Sequence, residues 1–177
     1  IGLDFFTNKD SSLLNFKNAM SEIAKLIDKD SLFILESSVP PGTTEKIVFP
    51  IFEKEFKKRK INKNKIKIAY SYERVMPGDN YFDSVVNYWR VFSSNNDDSK
   101  KMCRNFFSKV LNVKKYPLTY LESPTACELS RTLQNTFRAT NIALIDEWSK
   151  FAEKNNIDLF KIIDAIKISP THKNIML

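Results

Sequence analysis

The stretch Glu128-Leu-Ser-Arg-Thr-Leu-Gln-Asn-Thr-Phe-Arg138, followed directly by Ala-Thr-Asn-Ile-Ala-Leu-Ile-Asp-Glu147, reads as one long helix with two faces. Leu129, Leu133, Phe137, Thr140, Leu144, Trp148 and Phe151 recur every three or four positions and make an apolar stripe. Glu128, Arg131, Asn135 and Arg138 recur at the same period on another side. A fixed cation, an amide and a carboxylate one turn apart can hold an anionic or hydroxyl-rich substrate. A plain solvated face usually carries interchangeable Lys and Glu, although periodicity alone does not separate the two.

Working outward, the chain before Pro124 alternates helix and strand, which indicates an α/β sheet layer. Leu13, Phe16, Met20, Ile23 and Ile27 predict an amphipathic helix with Ser11 or Ser12 as its N-cap. Leu32-Phe-Ile-Leu35 is a continuous apolar run, as expected of a parallel strand buried on both faces. Pro40-Pro-Gly42 breaks the chain, and Thr43-Thr-Glu45 opens a second helix that Pro50 should kink or interrupt. Lys65 to Tyr70, Tyr88 to Phe92 and Val113 to Tyr120 read as strands, with Asn95 to Val110 helical between the last two. The long helix runs to about Asn155, and Asp158 to Ile168 makes a shorter one. The expected architecture is therefore a partial Rossmann-like parallel sheet over residues 1–121, then an all-helical unit over 122–177.

Composition bounds the function. With 177 residues, 42% of them apolar, and 14 Phe, a core is readily built. Glycine is scarce, at 3 residues (Gly2, Gly42 and Gly78), so no G-x-G-x-x-G or P-loop exists to cradle a pyrophosphate. Because the chain starts at Ile1 rather than Met, the simplest expectation is a fragment that begins partway through a nucleotide-binding domain. No apolar run in the sequence approaches membrane-spanning length, and no signal-peptide pattern is read within these residues. Cys103 and Cys127 fit a reducing compartment and read as small core residues rather than a disulfide or a nucleophile. With His172 the sole histidine, Ser-His-Asp catalysis and His-based zinc sites are not expected. The net charge of +7 is concentrated in Lys57-Lys-Arg-Lys60 and Lys63, Lys65 and Lys67. That run follows a helix and leads into a strand, so it reads as a solvated loop and not as a nucleic-acid surface.

Two further segments add chemistry: Glu36-Ser-Ser-Val-Pro-Pro-Gly-Thr-Thr-Glu45 and Tyr70-Ser-Tyr-Glu-Arg-Val-Met-Pro-Gly78. Ser38 lies just past a predicted parallel strand, where ligands of α/β sheets bind, or else caps the following turn. Glu73 lies past another strand, where a carboxylate can act as a general base or simply pair with Arg74 or Arg90. Taken in order with the long helix, these segments resemble the UDP-glucose/GDP-mannose dehydrogenase family, whose usual forms look like E-S-T-V-P-P-G-T-T, S-P-E-R-V-x-P-G and E-L-x-K-x-x-E-N-x-x-R-A-x-N-I-A. The tail Ser169-Pro-Thr-His-Lys-Asn-Ile-Met-Leu177 looks like the stretch leading to that family's catalytic-cysteine loop.

The resemblance implies an NAD-dependent, cytoplasmic nucleotide-sugar 6-dehydrogenase for polysaccharide precursor synthesis. Such an enzyme oxidises a sugar C6 alcohol to a carboxylate, with a UDP-glucose or UDP-N-acetylhexosamine type of substrate. By the same resemblance, Ser38 contacts NAD, Glu73 assists thioester hydrolysis, and Arg131 and Asn135 are catalytic. Glu73, Arg74, Val75, Met76, Pro77, Arg131 and Asn135 contact substrate. The long helix pairs with its twin in a homodimer, no metal is used, and the nucleophilic cysteine falls beyond Leu177, so the fragment alone is expected to be inactive. Among the departures from the pattern, Ser38 stands where the family more often has Thr, Tyr72 where it has Pro, and Arg131 where it has Lys. An Arg keeps the charge but cannot release a proton near neutral pH. The alternatives are a non-catalytic or degenerate dimerisation module of the same fold, and another β-hydroxyacid-type dehydrogenase. The latter does not account for the Pro-Pro-Gly and Glu-Arg-Val-Met-Pro-Gly segments.

Overall fold

The computed structural model describes residues 9–73, 75 and 78–172, with side chains described from Leu13 onward. Of the expected site residues, Arg74, Met76 and Pro77 lie outside the described residues, as does the tail from 173 to 177. The chain divides into two compact units, Ile1–Thr132 and Leu133–Leu177.

In the first unit, α1 (Lys9–Leu26) leads to β1 (Phe33–Leu35), and a helix follows the Pro-Pro-Gly turn. Helix α1 already includes Ser11 and Ser12, so neither caps it as the sequence had indicated. Pro50 does not break the second helix. The turn Thr44–Val48 is wound wider, as a π-helix, and passes directly into α2 (Phe49–Lys58), with Pro50 in the first turn of α2. The Phe49 N–H bonds back to the Thr44 carbonyl, and the widened turn accommodates a residue that has no N–H to donate. The order continues β2 (Ile68–Tyr72), α3 (Tyr81–Val86), β3 (Val91–Ser94), α4 (Asp97–Val110) and β4 (Thr119–Tyr120).

The sheet order is β1-β2-β3-β4. β1 pairs parallel with β2, with Leu35 opposite Tyr70, and β3 pairs parallel with β4. The middle pairing differs from an all-parallel expectation: β2 and β3 run antiparallel, with Tyr72 opposite Val91. A parallel return requires a crossover whose helix packs on the sheet face; the six residues of α3 do not provide one here. β4 is shorter than the predicted 113–120 strand: Pro117 cannot donate to a ladder, and Tyr116 N–H is taken by the Asn112 carbonyl in a turn.

Strand β2 is buried along its whole length. Its alternation sends Ile68, Tyr70 and Tyr72 into a core with Phe16, Met20, Phe52, Phe56 and Cys127. Ala69 faces the other way, into a core with Phe92, Cys103 and Phe107. Helices therefore cover both faces, as the apolar strand sequences require. Both cysteines are free and buried, in different cores. Burial pushes each thiol up to about 12, which keeps it from acting as a thiolate near neutral pH.

The long helix α5 (Pro124–Lys154) begins in the first unit and continues into the second, where α6 (Leu159–Lys167) follows with Asp158 as its N-cap. In the second unit Leu133, Phe137, Leu144, Trp148 and Phe151 are roughly half exposed. The C-terminal half of α5 and α6 enclose an apolar cavity of about 230 Å³ lined by Trp148, Ala152 and Ile163 among others. Among the described residues no helix is long and apolar enough to cross a membrane.

Candidate functional site

The Pro40-Pro41-Gly42 turn is set by its own chemistry. Thr43 returns both its N–H (3.1 Å) and its hydroxyl (2.6 Å) to the Pro40 carbonyl. Gly42 has φ +93°, a conformation L side chains rarely adopt, and a Cβ there would meet Lys46 Cδ at 3.3 Å. The turn leaves the N–H groups of Gly42 and Thr44 pointing out of a helix start, where an anion is favoured.

The anion is Glu128. Its carboxylate accepts from Gly42 N (2.5 Å), Thr44 N (2.8 Å) and Thr44 Oγ1 (2.6 Å). The side chain is 0% exposed. Burial raises its pKa, opposed by the Thr44 hydroxyl and the two backbone donors. Periodicity had placed Glu128 on a polar stripe with Arg131, Asn135 and Arg138. The structure separates them: Glu128 is an internal anchor, Arg131 is half-buried, and Asn135 and Arg138 are exposed. A second clamp joins the same elements, since Thr125 Oγ1 donates to Glu45 Oε2.

Anchoring at Glu128 brings the next turn of α5 to the loop after β1. Arg131 Nε lies 3.5 Å from Ser38 Oγ, and Ser38 is exposed. The Arg131 guanidinium carbon sits 5.5 Å from the Tyr72 ring centroid, and Ser130 Oγ is 3.2 Å from Tyr72 Oη. Two predicted site residues, Ser38 and Arg131, thus meet although they are 93 positions apart. Glu73 follows Tyr72 at the carboxyl end of β2, partly buried, and its Oε2 accepts the Val75 N–H. Arg90 does not pair with Glu73. It bonds Glu36 at 2.9 Å, with its guanidinium over Phe107. Burial raises the Glu36 pKa, Arg90 opposes the rise, and the Glu73 charge adds to it, which places the two carboxylates within electrostatic range. Sequence periodicity sets Glu128 on a ligand-holding stripe rather than as a buried anchor, and does not single out the Glu36–Arg90 pair.

This arrangement offers an exposed hydroxyl beyond a parallel strand, a guanidinium against it and a carboxylate at the neighbouring strand end. Such groups hold oxygen-rich, anionic ligands. No glycine-rich turn that could cradle a pyrophosphate is present in the chain.

Comparison with known proteins gives concordant results. Residues 5–111 match the UDP-glucose/GDP-mannose dehydrogenase family, NAD binding domain, and residues 125–176 match the central domain of that family. The chain is similar to UDP-N-acetyl-D-mannosamine dehydrogenase of Methanococcus vannielii, 29% identical over 168 residues, covering 95% of this chain and 35% of that protein. It is 30% identical over 163 residues to the enzyme of the same name from Methanocaldococcus jannaschii, covering 92% of this chain and 35% of that protein. The solved UDP-D-ManNAc dehydrogenase of Pyrococcus horikoshii superposes with a TM-score of 0.75 at 25% identity, covering 89% of this chain and 36% of that one. A GDP-mannose dehydrogenase from Pseudomonas aeruginosa shares the fold, with a TM-score of 0.80 at 18% identity over 98% of this chain and 38% of that one. The chain therefore spans about 35% of the length of the curated relatives it matches.

Proposed function

Because the chain belongs to the UDP-glucose/GDP-mannose dehydrogenase family, we propose that it is part of an NAD-dependent nucleotide-sugar 6-dehydrogenase. The substrate is of the UDP-glucose or UDP-N-acetylhexosamine type, and the product is the C6 carboxylate, made for polysaccharide precursors in the cytoplasm. The observation that supports this best is the meeting of Arg131 with Ser38. Two segments that resemble the family's cofactor and substrate motifs come together at one strand end.

Within this reading each residue has one task. Ser38 gives its hydroxyl to the cofactor. When bound, NAD supplies the acceptor for the hydride that leaves the sugar carbon. Arg131 offsets negative charge on the sugar oxygen, and its fixed positive charge suffices if no proton is drawn from it. Asn135 orients the sugar through its amide. Glu73, aligned by the Val75 N–H, takes a proton from the water that releases the acid. Arg74, Val75, Met76 and Pro77 complete the substrate loop.

The division of the chain near Leu121 into a cofactor-domain part and a central-domain part is likewise our reading, supported by the two family matches. So is homodimer formation through α5, supported by its half-exposed Leu133, Phe137, Leu144, Trp148 and Phe151. The test is NADH formation by the full-length protein with a panel of UDP- and GDP-sugars. Reduction of NAD with a UDP-sugar supports the reading. Silence with the whole panel contradicts it and favours the non-catalytic dimerisation module.

A further inference from the structure

Two of the residues that depart from the family pattern, Tyr72 and Arg131, touch each other. Tyr72 closes β2 and is 3% exposed, and the Arg131 guanidinium carbon lies 5.5 Å from its ring centroid. That distance is within the range of a cation–π contact. The ring is held at both ends: its backbone is in the β2–β3 ladder opposite Val91, and its hydroxyl lies 3.2 Å from Ser130 Oγ. Ser130 is in turn fixed by its own bond to the Cys127 carbonyl at 2.8 Å. On the remaining side, Arg131 Nε faces Ser38 Oγ at 3.5 Å.

A guanidinium is planar and stacks on an aromatic face; a lysine ammonium is a compact point charge on a flexible stem. A proline at position 72 offers neither a π face nor a hydroxyl. Arginine at 131 therefore gains from tyrosine at 72 something that lysine would use less well. We propose that Tyr72 is a positioning residue for Arg131. Its ring fixes the guanidinium plane, and the Nε edge turns toward Ser38, so the terminal nitrogens form the edge that meets an oxyanion. The pair acts as a unit in place of a Pro–Lys pair. The functional part rests on the reading of Arg131 as the substrate-holding cation, whereas the posture is measurable without substrate.

The test is NMR of the Arg131 side chain, assigned by its disappearance in Arg131→Lys. Ring current from Tyr72 is expected to shift the Arg131 Hδ and Hε resonances upfield. The shift persists in Tyr72→Phe and is lost in Tyr72→Leu, with the rest of the amide spectrum reporting the fold. Random-coil Arg131 shifts in the unsubstituted chain overturn the proposal without any variant, and so does an unchanged shift in Tyr72→Leu. In the full-length protein, Tyr72→Leu is expected to lower kcat about tenfold with KM for NAD unchanged, while Tyr72→Phe retains most of the rate. Loss of the upfield shift in Tyr72→Leu with no change in kcat overturns the positioning role. A full-length protein with no turnover at all instead overturns the dehydrogenase reading, and the ring-current result then decides the posture separately.

Discussion

Glu128 is the residue on which the site geometry turns. Its carboxylate satisfies two backbone N–H groups and a hydroxyl inside the protein, so removing it leaves buried donors without a partner. Each such donor costs on the order of 1–3 kcal/mol. Glu128→Ala is expected to destabilise the chain by about 3 kcal/mol, read as a lower midpoint in urea unfolding with little change in slope. An unaltered midpoint would show that the anchor is dispensable. The same carboxylate gives a pH signature. Burial raises its folded pKa above the ordinary 4.5, so over that window the folded state holds more protons than the unfolded one. Its contribution to stability is therefore greatest below 4.5 and falls as pH rises from there toward the raised folded value. Unfolding free energy measured against pH should show this decline in the parent and a weaker one in Glu128→Gln. Identical profiles would contradict it.

At the scale of elements, the turn before α2 does the positioning. Gly42 with φ +93° aims its N–H at Glu128, and a side chain there is strained whatever the space. Gly42→Ala is expected to cost about 1–2 kcal/mol, measured by thermal unfolding, whereas substitution of exposed Lys54 should leave the transition in place. How much of this could be read from sequence depends on the kind of signal. The long helix was legible because its apolar period is sustained, and it ends within a residue of the expected Asn155. The segments that carry Ser38 and Arg131 stand out in the sequence because their motifs carry recognisable punctuation, and the two side chains lie 3.5 Å apart. The role of Glu128 was not legible, because its partners lie 84 and 86 positions away. A carboxylate at helical spacing also looks the same whether it faces water or a distant helix start. The antiparallel turn of the sheet was hidden for a related reason: strand direction is set by the connection, and α3 is too short to announce itself by periodicity. Glu36 and Arg90 pair over 54 positions with no local trace of it.

For the whole molecule, the chain belongs to its family through both matched domains while covering about 35% of the relatives' length. Its surface carries one more expectation. The half-exposed apolar residues of α5 in the second unit are the proposed dimer face, so Phe137→Asp with Trp148→Glu should convert a dimer to a monomer by sedimentation without loss of helicity. A parent that is already monomeric would contradict that face. The central claim, that Arg131 beside Ser38 is the substrate-holding cation of a nucleotide-sugar dehydrogenase, meets its most direct test in the steady-state NADH production of the full-length protein and its Arg131→Ala variant with the same UDP-sugar. The account predicts a fall in kcat/KM of about 10²–10³-fold for the variant. Equal rates in the two proteins would contradict it.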